Sequence, residues 1–162
     1  MELLPFDEYV RSLPRRRMAA GVLLRDDAGR VLLVEPSYKR SWDIPGGVVE
    51  AGESPWDAAI REVREEIGLD RRLGRLLVID NLSASGRMPE GLMFVWDGGP
   101  VTETEVGTLT FTGPEIVSAS LHTPEQVAAK VPPSLAARLD AAAHAADTGI
   151  LALCQDGRRT TA

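Results

Sequence analysis

The stretch from Gly47 to Leu69 reads Gly-Val-Val-Glu-Ala-Gly-Glu-Ser-Pro-Trp-Asp-Ala-Ala-Ile-Arg-Glu-Val-Arg-Glu-Glu-Ile-Gly-Leu, a glycine-containing loop followed by a helical pattern. Ser54 is a preferred N-cap residue, and Pro55 is of a type favoured at the first helical position. Gly68 is a natural C-cap residue. These signals predict a helix over residues 55–67.

The predicted helix has an apolar face and an acidic face. Apolar side chains recur at helical spacing and predict a buried stripe of Trp56, Ala59, Ile60, Val63 and Ile67. Off that stripe, Glu62, Glu65 and Glu66 are spaced i, i+3 and i+4, so their carboxylates lie side by side and repel one another. We therefore expect a cation to compensate the charge.

Two interpretations of the acidic face remain open at this point. Mg2+ takes oxygen ligands and is commonly bound through a few carboxylates together with substrate phosphates. Glu50 and Glu53 add carboxylates in the loop, where Gly46 would let a backbone carbonyl approach a metal. Alternatively, the face is an ordinary solvated one, salt-bridged by Arg61 and Arg64. Spacing alone does not decide between a metal site and a charged surface.

The stretch resembles the signature box of the Nudix hydrolases. That box is a glycine, five residues, Glu, seven residues, Arg-Glu, an aliphatic, any residue, Glu-Glu, any residue, Gly and an aliphatic. The matching positions here are Gly47, Glu53, Arg61-Glu62, Val63, Glu65-Glu66, Gly68 and Leu69. The preceding residues, Trp42-Asp43-Ile44-Pro45-Gly46, are also similar to the family's usual approach to the box.

The resemblance implies a fold, a cofactor and a set of ligands. The implied fold is α/β, an α/β/α sandwich around a mixed β-sheet, and the implied cofactor is Mg2+ or Mn2+. By position, Glu62, Glu65 and Glu66 would bind the metal, with the Gly46 carbonyl as a further candidate. Glu53 would hold Arg61 and support the catalytic site.

The resemblance leaves the general base unassigned, because families of this type place it on the box or on a distant loop. Glu65 and Glu66 are the box candidates. Off the box, Glu103, Glu105 and Glu115 lie in or beside a Gly/Thr-rich loop from which an acid could reach back. Each of these three is otherwise an ordinary surface acid.

Four residues before the box are candidates for substrate binding. Tyr38, Lys39, Arg40 and Trp42 combine aromatic and cationic side chains, which could stack a base or hold a phosphate. The alternatives are core-edge packing for Trp42 and solvated loop charge for Lys39 and Arg40. Subfamily marks are absent, so a nucleoside di- or triphosphate or a nucleotide sugar remains open.

Length and composition predict one compact domain over residues 1–162, with a lead-in at 1–17 and a polar tail at 155–162. The lead-in carries a short predicted helix at 6–13 and could cover the site or a neighbouring subunit, as in a homodimer. A net charge of -6 argues against sequence-independent binding of duplex nucleic acid. With no run of about 18 apolar residues, we expect no membrane span and a cytoplasmic protein.

The rest of the chain predicts alternating strands and helices. Apolar or alternating runs predict strands at 18–24, 30–35, 73–80, 91–96, 115–121 and 150–154. A capping box at Thr123-Pro124-Glu125-Gln126 predicts a short helix, and an alanine-rich helix is predicted at 134–146. Residues 82–90 and 97–114 are predicted loops because Gly, Pro, Ser and Thr dominate there.

The functional hypothesis from sequence is a Mg2+-dependent hydrolase. Metal-activated water would cleave a pyrophosphate bond in a nucleoside diphosphate linked to another group. The alternative is a non-catalytic nucleotide-binding or regulatory module, which would have no need to keep a repulsive acid cluster. A third possibility, isomerisation of isoprenoid diphosphates, calls for a cysteine near the site, whereas Cys154 lies far along the chain.

Overall fold

The computed structural model describes residues 3–160. Its helices are α1 Phe6–Ser12, α2 Pro55–Ile67, α3 Glu103–Val106, α4 Pro124–Lys130 and α5 Pro133–Thr148. Its strands are β1 Arg17–Arg25, β2 Val31–Pro36, β3 Gly46–Val48, β4 Leu76–Leu82, β5 Gly91–Pro100, β6 Ile116–His122, β7 Ala152–Gln155 and β8 Arg158–Arg159. No helix within residues 3–160 is long and apolar enough to cross a membrane.

The strands form one mixed sheet in the order β6-β2-β1-β5-β4-β7-β8, with β3 paired to β1 off this path. The pairs β1–β5 and β4–β7 are parallel, and the other pairs are antiparallel. Helix α2 covers one face of the sheet, while α4 and α5 cover the other. The predicted α/β/α sandwich around a mixed sheet is confirmed.

The alternation of β1 builds both layers of the core. Because successive strand residues point to opposite faces, Val22 and Leu24 pack beneath α2, while Leu23 packs with α4 and α5. All three side chains are almost completely buried. The central strand therefore anchors α2 on one side and the C-terminal helices on the other.

The predicted helix over residues 55–67 is confirmed as α2, and its ends have the expected caps. The Ser54 side chain accepts a hydrogen bond from the Asp57 backbone N–H, and Gly68 adopts the left-handed conformation with φ 70°. The predicted buried stripe is partly wrong. The structure buries Ala58, Ala59, Val63 and Ile67, whereas Trp56 remains 56% exposed.

Two loop predictions also need correction. Residues 46–48 form β3, since they pair with β1 along an ordinary antiparallel register. Within the predicted loop 97–114, β5 continues to Pro100 and α3 follows. Thr102 and Glu105 form a capping box at the start of α3. The prediction missed this helix because it relied on the high Gly and Thr content of the segment. The polar tail also contributes structure, because Arg158 and Arg159 pair with β7.

A buried ion pair ties α5 to the sheet. Asp80 on β4 is fully buried, and its Oδ2 accepts hydrogen bonds from Arg138 Nε at 2.6 Å and from the Gly157 backbone N–H at 2.8 Å. Asp80 Oδ1 has no hydrogen-bond partner among the described residues. The pair therefore links β4, α5 and the turn after β7 through one carboxylate.

We expect Arg138→Met to lower the free energy of unfolding by about 3–5 kcal/mol, because Asp80 would be left buried without its cation. Urea denaturation followed by circular dichroism measures the change. Arg158→Met is the matched control, since Arg158 is exposed on β8, and it should change the same quantity by about 0.5 kcal/mol or less. Equal effects of the two substitutions would contradict a stabilising role for the pair.

Candidate metal centre

The three box glutamates, Glu62, Glu65 and Glu66, differ in how far they are withdrawn from solvent. The Glu62 side chain is only 14% exposed, whereas that of Glu65 is 60% exposed. Glu66 is half-buried, and its Oε2 accepts a hydrogen bond from the Gly46 backbone N–H at 2.9 Å. Because Ala58 is buried, the face of α2 that packs on the sheet lies closer to Glu62 and Glu66 than the predicted stripe does. Two of the three acids therefore lie at the edge of the core.

Glycine at positions 46 and 47 allows β3 to lie this close to α2. A Cβ on Gly47 would lie 2.3 Å from Glu62 Oε1, and a Cβ on Gly46 would lie 2.3 Å from the Ala20 carbonyl oxygen. Both distances are well inside van der Waals contact. The paired glycines thus leave the space in which the Glu62 carboxylate sits.

Arg61 contacts most of the acidic groups around it. It binds Glu53 in a bidentate manner, with Nε 2.8 Å from Oε1 and Nη2 3.0 Å from Oε2. Its Nη1 donates to Glu62 Oε1 at 2.8 Å and to Glu65 Oε2 at 3.2 Å, and its Nη2 also donates to the Val48 carbonyl oxygen. The hydrogen bonds from Arg61 lower the pKa of Glu53 to about 2. The structure brings Glu53 and Arg61 together as a clamp between the loop and α2.

The two withdrawn carboxyls are hard to ionise. Burial, with smaller contributions from the neighbouring charges of Glu62, Asp43 and Glu115, raises the pKa of Glu66 to about 8. Burial also raises the pKa of Glu62, although its hydrogen bond to Arg61 opposes that shift. A nearby divalent cation would favour the ionised forms. A positive charge in addition to that of Arg61 would therefore stabilise the ionised carboxylates of Glu62 and Glu66.

The donor set fits a hard divalent cation, since every candidate ligand is a carboxylate or backbone oxygen. Across residues 3–160, no three acidic, His or Cys side chains already converge as a metal-holding group. Arg61 Nη1 instead bridges Glu62 and Glu65. Each of these hydrogen bonds engages only one oxygen of its carboxylate, Glu62 Oε1 or Glu65 Oε2, so the other oxygen of each could take part in binding a metal.

The box glutamates line a cavity of about 290 Å3 together with the chain just before β6. Its opposite wall is formed by Thr112, Gly113, Pro114, Glu115 and Ile116. The Thr112 hydroxyl donates to the Glu65 carbonyl oxygen at 3.2 Å, which holds this loop against α2. Sequence reasoning missed the lining by residues 112–114, for which the only signal was a Gly-Pro turn leading into a strand.

The structure separates the three distal acids. Glu115 lines the cavity that contains the box glutamates. Glu103 instead pairs with Arg30 Nη2 at 2.8 Å, and Glu105 pairs with Arg71 Nη2 at 2.7 Å. Glu105 also caps α3. Glu115 is thus the distal acid that the fold brings to the box.

The four substrate-binding candidates lie outside the described lining of this cavity. Tyr38 is 70% exposed and Arg40 is also exposed, while Lys39 forms an ion pair with Asp43. Trp42 is half-buried: its ring meets that of His122 edge-on at 5.0 Å between centroids, and Lys130 Nζ lies 4.2 Å from its centroid. The packing alternative therefore describes Trp42, whereas Tyr38 and Arg40 are open to a ligand.

Curated proteins with similar sequences are named as a phosphohydrolase or a pyrophosphohydrolase. Over 72 residues the chain is 43% identical to diphosphoinositol polyphosphate phosphohydrolase 2 of Mus musculus, covering 44% of this chain and 40% of that protein. Over 77 residues it is 34% identical to an RNA pyrophosphohydrolase of Pseudomonas fluorescens, covering 48% of each. The chain therefore matches less than half the length of these curated relatives.

Solved structures match a larger part of the chain. A MutT protein from Methanosarcina mazei is 26% identical with a TM-score of 0.63, covering 80% of this chain and 96% of that one. A UDP-X diphosphatase structure, at 17% identity and TM-score 0.68, covers 93% of this chain and 75% of that one, and shows the same fold.

The family model described as the NUDIX domain matches residues 15–143, which span strands β1 to β6, the box helix α2 and most of α5. The resemblance first indicated by Gly47 to Leu69 thus extends over most of the fold, and the chain belongs to the NUDIX domain family.

Proposed function

We propose that this chain is a Mg2+- or Mn2+-dependent hydrolase that cleaves a pyrophosphate bond in a nucleoside diphosphate linked to another group. The observation that carries the proposal is the shared cavity of the box glutamates and Glu115, in which two half-buried carboxyls have raised pKa values. A surface without a cation-dependent role would gain stability by losing this repulsion. The pyrophosphate chemistry named for the relatives supports the same reaction class.

In this proposal, Glu62, Glu65 and Glu66 hold the metal, with the Gly46 carbonyl as a further ligand. When bound, the metal lowers the pKa of a water molecule and neutralises the charge on substrate phosphates. Glu53 keeps Arg61 in place through two hydrogen bonds, and Arg61 in turn balances the charge of Glu62. The Gly46 N–H orients the Glu66 carboxyl.

The proton from the attacking water needs an acceptor on the cavity wall. Glu65 and Glu66 are the acceptors on α2, and Glu115 is the acceptor on the opposite wall. Glu115 is better suited to this role, because the described hydrogen bonds of Arg61 engage Glu62 and Glu65 and do not involve Glu115. An acid that is not a metal ligand can keep its lone pairs for the water. We therefore assign proton transfer to Glu115 and metal binding to the box.

The substrate class includes nucleoside di- and triphosphates and nucleotide sugars. The exposed Tyr38 ring and Arg40 guanidinium, two residues apart on the loop before the box, offer a stacking surface and a phosphate contact. Lys39 is engaged with Asp43 and contributes less to this surface.

Glu65→Gln and Glu66→Gln should each lower kcat by about 100-fold or more, because a neutral amide is a weaker ligand for a divalent cation. Phosphate or pyrophosphate release in the presence of Mg2+ measures this over a panel of nucleoside di- and triphosphates, nucleotide sugars and dinucleotides. Glu103→Gln is the matched control and should retain activity, since Glu103 is paired with Arg30 outside the cavity. Calorimetric binding of a nucleotide by the unmodified chain, with no product after hours, would instead favour the non-catalytic module.

Glu115→Gln should lower kcat by about 100-fold, because it removes a proton acceptor. The Mg2+ concentration for half-maximal activity should stay nearly unchanged, because the box ligands remain. Glu105→Gln is the control, because Glu105 is another of the distal acids proposed from the sequence. Its partner is Arg71, so turnover should stay close to that of the unmodified protein. A larger loss in Glu105→Gln than in Glu115→Gln would reverse the assignment.

Gly47→Ala should impair Mg2+-dependent turnover with little loss of stability. The new methyl would overlap Glu62 Oε1, and that carboxylate can turn away because it lies at the end of a flexible side chain. We expect the Mg2+ concentration for half-maximal activity to rise by about tenfold or more. Gly107→Ala is the control, since a Cβ there meets its nearest atom at 3.4 Å. Normal Mg2+ dependence in Gly47→Ala would show that Glu62 is not a ligand.

A further inference from the structure

Glu115 lines the cavity from a segment that is neither helix nor strand. Residues 109–115 connect the turn after α3 to β6, and residues 112–115 are all exposed. The described side-chain hydrogen bonds that fix this segment come from Ser37 and Thr112, not from the Glu115 carboxyl. The place of that carboxyl at the cavity therefore depends on what holds the backbone of its own segment.

A β-bulge lies at the start of β6, where its register against β2 shifts. Glu35 on β2 pairs with Ser118. The next residue of β2, Pro36, pairs with Ile116. Val117 is therefore the extra residue of the bulge, and its side chain is 59% exposed. Bulges of this kind bend a strand locally and change the direction of the side chains beside them.

The bulge places Ile116 in the layer of the core beneath α2. Leu121 and Ala119, two residues apart on β6, pack in this layer. Regular alternation would bring Val117 there next, but the structure buries Ile116 in the layer instead. Ile116 also lines the cavity of the box glutamates. Glu115 thus directly precedes a residue that is anchored beside the cavity.

Ser37, the residue after β2, holds the segment from the neighbouring strand. Its backbone N–H donates to the Glu115 carbonyl oxygen at 2.7 Å. Its hydroxyl donates to the Pro114 carbonyl oxygen, also at 2.7 Å. These two carbonyl groups belong to the peptide units on either side of the Glu115 Cα. One residue therefore restrains both peptide planes that determine the direction of the Glu115 side chain.

The connection of the segment to α2 is less direct. The Thr112 hydroxyl donates to the Glu65 carbonyl oxygen at 3.2 Å. Gly113 follows, and a Cβ at that position would meet no atom closer than 4.0 Å. Because glycine is conformationally free and its surroundings are open, the restraint from Thr112 is weakened before it reaches Glu115. Ser37 supplies the hydrogen bonds closest to Glu115.

We propose that Ser37 is a positioning residue for Glu115, whose hydroxyl and N–H together direct the proton acceptor into the cavity. The inference rests on the proposed function, since it concerns the same reaction. Ser37 is outside the described lining of the cavity, so its effect is exerted through Glu115. A misplacement of about 1 Å in a catalytic geometry costs on the order of 100-fold in rate. Loss of one restraint on the acceptor should therefore be measurable.

Ser37→Ala should lower kcat by about tenfold, because Glu115 loses one of its two backbone restraints. KM for the nucleotide should change by less than about twofold, since the box and the loop before it are intact. Ser37→Thr retains a hydroxyl and should keep turnover near that of the unmodified chain. Ser118→Ala is the matched control, because it removes another hydroxyl hydrogen bond between β6 and β2, from Ser118 to Glu35 Oε2. It should leave kcat unchanged, and circular dichroism on heating checks that both alanine variants fold.

The double variant Ser37→Ala/Glu115→Gln separates positioning from a general structural role. If Ser37 acts through Glu115, the double variant should have the same kcat as Glu115→Gln alone. Hydrogen exchange of residues 109–116 should also be faster in Ser37→Ala, while exchange of α2 stays the same. A further tenfold loss of kcat in the double variant, or unchanged exchange of residues 109–116, would overturn the proposal.

The kinetics also distinguish this inference from the proposed function. An active unmodified chain with unchanged kcat in Ser37→Ala would overturn the role of Ser37 and leave the hydrolase proposal standing. An unmodified chain with no Mg2+-dependent turnover of any substrate in the panel would overturn the hydrolase proposal and this inference together.

Discussion

The close approach of β3 to α2 is the constraint on which the acidic site depends. Gly46 and Gly47 let the short strand pair with β1 and still leave space for the Glu62 carboxylate. The same approach lets the Gly46 N–H bind Glu66. Any side chain at these positions would meet either the β1 backbone or a box glutamate. Strand pairing, helix packing and carboxylate placement are therefore satisfied by one pair of small residues.

The arrangement of Arg61 explains how this fold tolerates so many acids together. Its guanidinium satisfies Glu53 with two hydrogen bonds and still reaches Glu62 and Glu65. Glu66 lies beyond these contacts and has the pKa of about 8, raised mainly by burial. One arginine thus compensates part of the cluster, and the remaining repulsion is concentrated on the carboxyl nearest the sheet. A metal at the cavity would act where Arg61 does not.

Local signals in the sequence predicted α2 well, because N-cap, first-turn proline and C-cap residues act within a few positions. The same sequence could not rank Glu103, Glu105 and Glu115. Their difference arises from Arg30 and Arg71, which reach two of them from distant parts of the chain. Periodicity also misplaced Trp56, since helical spacing alone does not fix which edge of an apolar stripe meets the sheet. The Asp80–Arg138 pair has no local signal at all, because its partners are on separate elements.

The two faces of the sheet carry different helices. The box glutamates belong to α2, and helices α4 and α5 pack on the other face. Strand β1 contributes to both layers, since Val22 and Leu24 support α2 while Leu23 packs with α4 and α5. A substitution on the α5 side of the sheet therefore need not disturb the cavity. Hydrolysis and stability can then be tested as separate properties, because Arg138→Met acts on the pair between α5 and β4 and leaves every box contact of Arg61 in place.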